Sequence, residues 1–144
     1  MDIQYLPAEE TDIAPILEQS RALIERYETF ADVSREEVFA WMERKTRKRL
    51  HEYRRIVCDG ETAGWIRVCD EGERIELDDL YILPPFRNRG IGTETLQKCL
   101  CESEKPVYFY VFTENTGAVR LYERLGFRVT ERVSATRAIM EHKG

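Results

Sequence analysis

Apolar residues change their spacing along this chain, and the changes mark its elements. In TDIAPILEQSRALIERY, residues 11–27, Ile13, Ile16, Leu17, Leu23, Ile24 and Tyr27 recur at helical spacing on one face. Thr11 or Asp12 is placed to cap this helix, and Pro15 falls in its first turn, where proline is tolerated. A short strand, DIQYL, precedes it and a loop, Phe30–Val33, follows. Ser34 with Glu37 forms a capping box that opens a second helix, with Val38, Trp41 and Met42 on its apolar side. Beyond about residue 52 the segments become β-branched and aromatic, cut at Asp59-Gly60 and Glu71-Gly72, which are turn signals. Three antiparallel strands are expected near 53–58, 62–69 and 73–83. A helix over Gly90–Glu102, a strand at 106–112 and a helix over Thr116–Arg124 follow, with Gly126 suited to the helix end. FRVTERV and TRAIMEH complete the chain as strands. The order β-α-α-β-β-β-α-β-α-β-β, a meander followed by strand–helix–strand, predicts an α/β (α+β) fold. Its sheet is mixed and mainly antiparallel, with helices on both faces. No repeat or linker divides residues 1–144, so one domain is expected.

Composition narrows the function classes. With 42% hydrophobic residues the chain has a globular balance, and its 34% charged residues are well mixed. A net charge of −5 argues against a general nucleic-acid binder. The N-terminus lacks a signal-peptide pattern and no apolar run approaches the roughly 20 residues of a membrane span, so a cytoplasmic protein without membrane association is expected. Cys58, Cys69, Cys99 and Cys101 form no CxxC pair, and Cys99 and Cys101 are two apart on a helix and point away from each other. No metal site is expected from them. His51 and His142 have no neighbouring Ser or Cys motif, so a hydrolase triad is not expected. The basic run Arg44–Arg55 reads as the solvated face of the second helix and its exit.

Against this acidic background, ILPPFRNRGIGTETL, residues 82–96, concentrates arginine and glycine between a strand and a helix. A helix N-terminus carries partial positive charge and unpaired N–H groups, and glycines let a phosphate approach the backbone. Arg87 and Arg89 add full charges. No lysine-serine or lysine-threonine pair completes a nucleotide P-loop, and Thr95 stands where a dinucleotide fingerprint needs its third glycine. The pyrophosphate of coenzyme A remains.

Here the sequence resembles the GNAT superfamily of acetyl-CoA-dependent N-acetyltransferases. Arg87-Asn88-Arg89-Gly90-Ile91-Gly92 matches the family's [RQ]-x-x-G-x-[GA] signature, with Ile82-Leu83-Pro84 just upstream. Asn115, then Tyr122, then Leu125-Gly126-Phe127 match its second motif. The element order agrees over essentially the whole chain. The resemblance implies a GNAT-like fold, with acetyl-CoA as co-substrate and no metal. It implies that pantetheine pairs with the backbone of Leu80, Tyr81 and Ile82, that the amides from Arg87 to Gly92, with Thr93 beside them, hold the pyrophosphate, and that Asn115 bonds the pantetheine arm. It implies that Tyr122 points its hydroxyl at the coenzyme sulfur.

The base is less defined. Simple alternation puts Glu76, Asp78, Leu80 and Ile82 on one face and Asp79 on the other. In the histone-acetyltransferase branch the base lies six residues before the motif's first apolar residue, which is Glu76 here; Asp78 and a water relay are the alternatives. The branch acting on protein N-termini would need a base at Tyr110, so that pattern is absent. The expected reaction is direct attack of a primary amine, from a small molecule or a peptide, on the thioester. A non-catalytic acyl-CoA sensor or partner subunit is the alternative. The family selects acceptors through the first two helices and the C-terminal hairpin, and its members often dimerise, so a homodimer is open.

Overall fold

The computed structural model describes residues 1–30 and 33–143; Ala31 and Asp32, in the loop expected at Phe30–Val33, lie outside the described residues. Among the described residues seven strands form one sheet: β1 (Ile3–Pro7), β2 (Tyr53–Cys58), β3 (Glu61–Asp70), β4 (Ile75–Ile82), β5 (Val107–Phe112), β6 (Arg128–Arg132) and β7 (Arg137–His142). The α-helices that accompany them are α1 (Ile13–Tyr27), α2 (Arg35–Lys48), α3 (Ile91–Glu102) and α4 (Thr116–Arg124). The sheet order is β1-β2-β3-β4-β5-β7-β6, and β4–β5 is its one parallel pair among the described residues. The expected order and mixed, mainly antiparallel sheet are therefore observed.

Local chemistry explains most of the elements. Asp59 and Gly60, with φ of +50° and +85°, form the two-residue turn between β2 and β3, matching the right-handed strand twist. Ser34 accepts a hydrogen bond from the Glu37 N–H and opens α2, whose first turn is acidic and last turn basic, both complementing the helix dipole. Gly126, at φ +97°, closes α4, with the Phe127 N–H donating to the Tyr122 carbonyl.

Three expectations are corrected. Asp12 occupies the N-cap position of α1 but makes no capping bond; its carboxylate accepts from the Glu9 N–H, the Trp65 indole and Arg55 instead. Trp41 is exposed, and α2 buries Met42 and Thr46. The basic run is not merely solvated: Lys45 pairs with Asp78, Arg49 with Glu52 and Arg55 with Asp12.

The main core lies between the sheet and α3 and α4, built from Ile56, Ile66, Leu77, Leu96, Phe109 and Phe127 with neighbours. On the other face Ile16 of α1 packs on Tyr53 and Trp65. The seam between β4 and β5 positions the site. They pair only at Ile75–Val107 and Glu76–Tyr108, after which β4 diverges. A bulge in β4 causes the change of course: Trp65 is opposite Tyr81 but Arg67 is opposite Asp78, and Asp79 takes φ +51°.

Candidate active site

The loop from β4 to α3 is shaped as an anion cradle. Asn88 and Gly90 are both left-handed, at φ +63° and +79°, so consecutive N–H groups turn to one side. Among the described residues, the amides of Asn88, Arg89, Gly90, Ile91, Gly92 and Thr93 donate to nothing. Gly90 is the N-cap of α3 and supplies no side chain to satisfy them. A Cβ built on Gly90 meets no atom within 4 Å, and one built on Gly92 meets only Ile82 Cγ1 at 3.8 Å. The left-handed backbone favours glycine at position 90. At position 92 no protein atom requires it.

Arg87 and Arg89 flank this cradle. Arg87 Nε donates to the Ile82 carbonyl at 2.9 Å, and its guanidinium lies over the Tyr81 ring. Arg89 lies over Phe86. Leu83 donates its N–H to Ala63, and Tyr81 lies opposite Trp65, so the backbone groups of Ile82 face away from β3, toward the open side of β4. Leu80 sits at the bulge, where the seam opens. Leu80 and Ile82 side chains pack into the main core.

The other wall is β5 with α4. Asn115 caps α4, its Oδ1 accepting from the Ala118 N–H, which leaves its amide NH₂ as a donor. Tyr122 packs its ring 4.1 Å from Phe109 of β5, centroid to centroid. Its hydroxyl has no hydrogen-bond partner among the described residues. Burial, with the charge of Asp78 adding to it, pushes this hydroxyl up to about 12.

Simple alternation along β4 is corrected by the bulge. Glu76 and Asp78 lie on the α1–α2 side, whereas Leu80 and Ile82 lie on the α3 side. Asp79 does not point away from Asp78: it reaches Tyr53 of β2 on that same α1–α2 side, 2.5 Å from the phenol. Glu76 is buried against Arg67, at 2.9 Å, and Arg67 also holds Glu52 and Asp78. Arg67 is fully buried; burial disfavours its charge, but the Asp78 and Glu76 carboxylates outweigh that and hold it protonated. Tyr53, Lys45 and Asp79 join this cluster without having been singled out in the sequence. The adjacent Asp78-Asp79 pair within β4 was the available signal, since neighbouring like charges in a strand require a local reason.

Among the described residues no cluster of His, Cys, Asp and Glu could hold a metal ion, and no helix is long and apolar enough to cross a membrane.

Over 80 residues the chain is 35% identical to an uncharacterised N-acetyltransferase of Methanocaldococcus jannaschii, an alignment covering 53% of this chain and 34% of that protein. The chain therefore matches about a third of that relative's length. The PaiA N-acetyltransferase of Thermoplasma acidophilum, solved in complex with coenzyme A, superposes with a TM-score of 0.72 at 22% identity, over 100% of both chains. YncA of Salmonella typhimurium, described as a putative acetyltransferase and solved with acetyl-CoA, gives a TM-score of 0.63 at 19% identity, over 99% of this chain and 94% of its own. The model of the acetyltransferase (GNAT) family matches residues 17–127, and the chain belongs to that family.

Proposed function

We propose that this protein transfers the acetyl group of acetyl-CoA to a primary amine by direct attack on the thioester. The observation that carries this is the cradle at Asn88–Thr93: unpaired amides, a left-handed Gly90, and a Gly92 that no neighbouring protein atom requires. Those amides, with Arg87 and Arg89 beside them, fit a pyrophosphate. The open side of β4 at Leu80–Ile82, facing the diverging β5, fits an amide-bearing arm that adds to the sheet edge. Asn115 offers its NH₂ to that arm. Acetyl-CoA supplies the activated acyl group.

The chain supplies the proton handling and polarisation. Tyr122 remains protonated well above neutral pH and donates toward the sulfur. A backbone N–H at the open edge of β4 is the candidate donor to the carbonyl oxygen. The acceptor must be cationic in solution, because an alkylamine with pKa near 10.4 is only about one part in a few thousand neutral at pH 7. The carboxylates Glu52, Glu76, Asp78 and Asp79 on the α1–α2 side give that ammonium a favourable approach.

Thiol release from acetyl-CoA, measured against alkyl monoamines, diamines, arylethylamines and short peptides, tests this function. Release above the amine-free rate is expected with at least one class. Tight coenzyme A binding with no release across the panel would make the protein a sensor instead.

A further inference from the structure

We propose that Asp79, hydrogen-bonded to Tyr53 at the bulge of β4, takes the proton from the acceptor ammonium. This deepens the acetyl-transfer function above and rests on it. Asp79 lies three residues beyond the last β4–β5 pair, Glu76–Tyr108, where the seam opens. Its φ of +51° is strained for a residue with a Cβ, and such strain persists where the surroundings enforce it. The enforcing contact is Asp78, whose Oδ1 accepts from the Asp79 N–H at 2.9 Å. The result is a half-buried carboxyl turned to the α1–α2 side.

The four carboxylates on that side differ in what holds them. Glu52 and Glu76 are paired with Arg67. Asp78 uses one oxygen for the Asp79 N–H and the other for Arg67 and Lys45, at 3.2 and 3.4 Å. Each is already engaged by a cation. Asp79 contacts no cation directly; its Oδ2 accepts from the Tyr53 hydroxyl at 2.5 Å, and its Oδ1 has no partner among the described residues. The groups facing it are Lys45 from α2, Tyr53 from β2, Arg67 from β3 and Asp78 from β4, while α1 contributes the apolar Ile16 to the same cluster. Burial first and Asp78 second raise Asp79 to about 7, against the opposing pulls of Tyr53, Lys45 and Arg67. Tyr53 is itself raised, by burial and by Asp79, so it stays a donor. The gap in basicity to an alkylammonium is then smaller than for an ordinary carboxylate.

The protons balance. Asp79 accepts one proton from the ammonium. The C–N bond forms as the C–S bond breaks, and the sulfur takes the Tyr122 proton. The second amine proton restores Tyr122, and Asp79 returns its own to solvent, so acetyl-CoA and ammonium give amide, thiol and one H⁺.

The test compares two nucleophiles with acetyl-CoA: the alkylamine that the wild type uses best, and hydroxylamine, which is already unprotonated at neutral pH, with the uncatalysed rate subtracted. Asp79→Asn is expected to lower kcat/KM for the alkylamine about 10²-fold at pH 7, with less loss as pH rises, and to leave hydroxylamine nearly unaffected. Tyr53→Phe removes a bond that favours the ionised carboxylate, so the acid limb of the pH–rate profile should move to higher pH. Equal loss on both nucleophiles in Asp79→Asn, or a retained alkylamine rate, overturns the assignment, as does an unmoved acid limb in Tyr53→Phe. A wild type that binds coenzyme A yet acetylates neither nucleophile overturns the function on which the assignment rests.

Discussion

At the scale of single residues, Gly92 and Tyr122 separate binding from chemistry. A methyl group at position 92 meets only Ile82 Cγ1 at 3.8 Å, so Gly92→Ala is tolerated by the protein itself. The substitution should raise stability by up to about 1 kcal/mol, because glycine is a poor helix former. The same methyl stands where the phosphate would meet the backbone. A higher melting temperature with weaker coenzyme A binding in calorimetry is therefore the expected pair of results. Tyr122→Phe should do the reverse, keeping the ring on Phe109 and the affinity while slowing turnover about 10²-fold. Because the hydroxyl is pushed up to about 12, the ratio of wild-type to variant rates should stay flat from pH 6 to 10.

At the scale of elements, the seam depends on how β3 carries β4. Gly64 of β3 lies so close to β4 that an added Cβ would sit 1.9 Å from the Tyr81 carbonyl oxygen. Backbone cannot give way there as a flexible side chain can. Gly64→Ala should cost about 3 kcal/mol, read as a lower denaturant midpoint, and should displace the backbone edge at Leu80–Ile82. The elements themselves were legible: Asp59-Gly60, Ser34 with Glu37, and Gly126 each announced a turn or cap through chemistry that acts over a few residues. The β4 bulge was legible only as a hint: the apolar alternation of ERIELDDLYI changes phase at Asp78-Asp79, but the extra residue is defined by the register against β3. That single residue reversed the expected face of Leu80 and Ile82 relative to Glu76 and turned Asp79 toward Tyr53. The glycine-bearing turn before α3 was legible in position because it is one contiguous stretch of sequence that ends on the helix cap. The carboxylate arrangement was not, since Arg67, Glu52 and Lys45 reach it from three separate elements.

At the scale of the molecule, the acidic cluster links stability to pH. The folded protein holds Asp79 at about 7, above its value in an unfolded chain, so the native state binds more protons between about pH 4 and 7. The contribution of this group to stability is therefore full below about pH 4 and declines as pH rises through 7. Asp79→Asn removes the buried charge while its side-chain oxygen still accepts from Tyr53. Its melting temperature should exceed that of the wild type at pH 8, with the difference closing toward pH 4. A variant less stable than wild type at pH 8 would mean that burial does not penalise this charge.

The account as a whole turns on coenzyme A lying across the opened seam with its pyrophosphate on the start of α3. Backbone amide resonances followed while coenzyme A is titrated into the isotopically labelled protein test this directly. Saturable shifts are predicted at Asn88–Thr93, extending to Leu80 and Ile82 on β4 and to Asn115 on α4. Saturable binding that leaves the Asn88–Thr93 amides unmoved would contradict it.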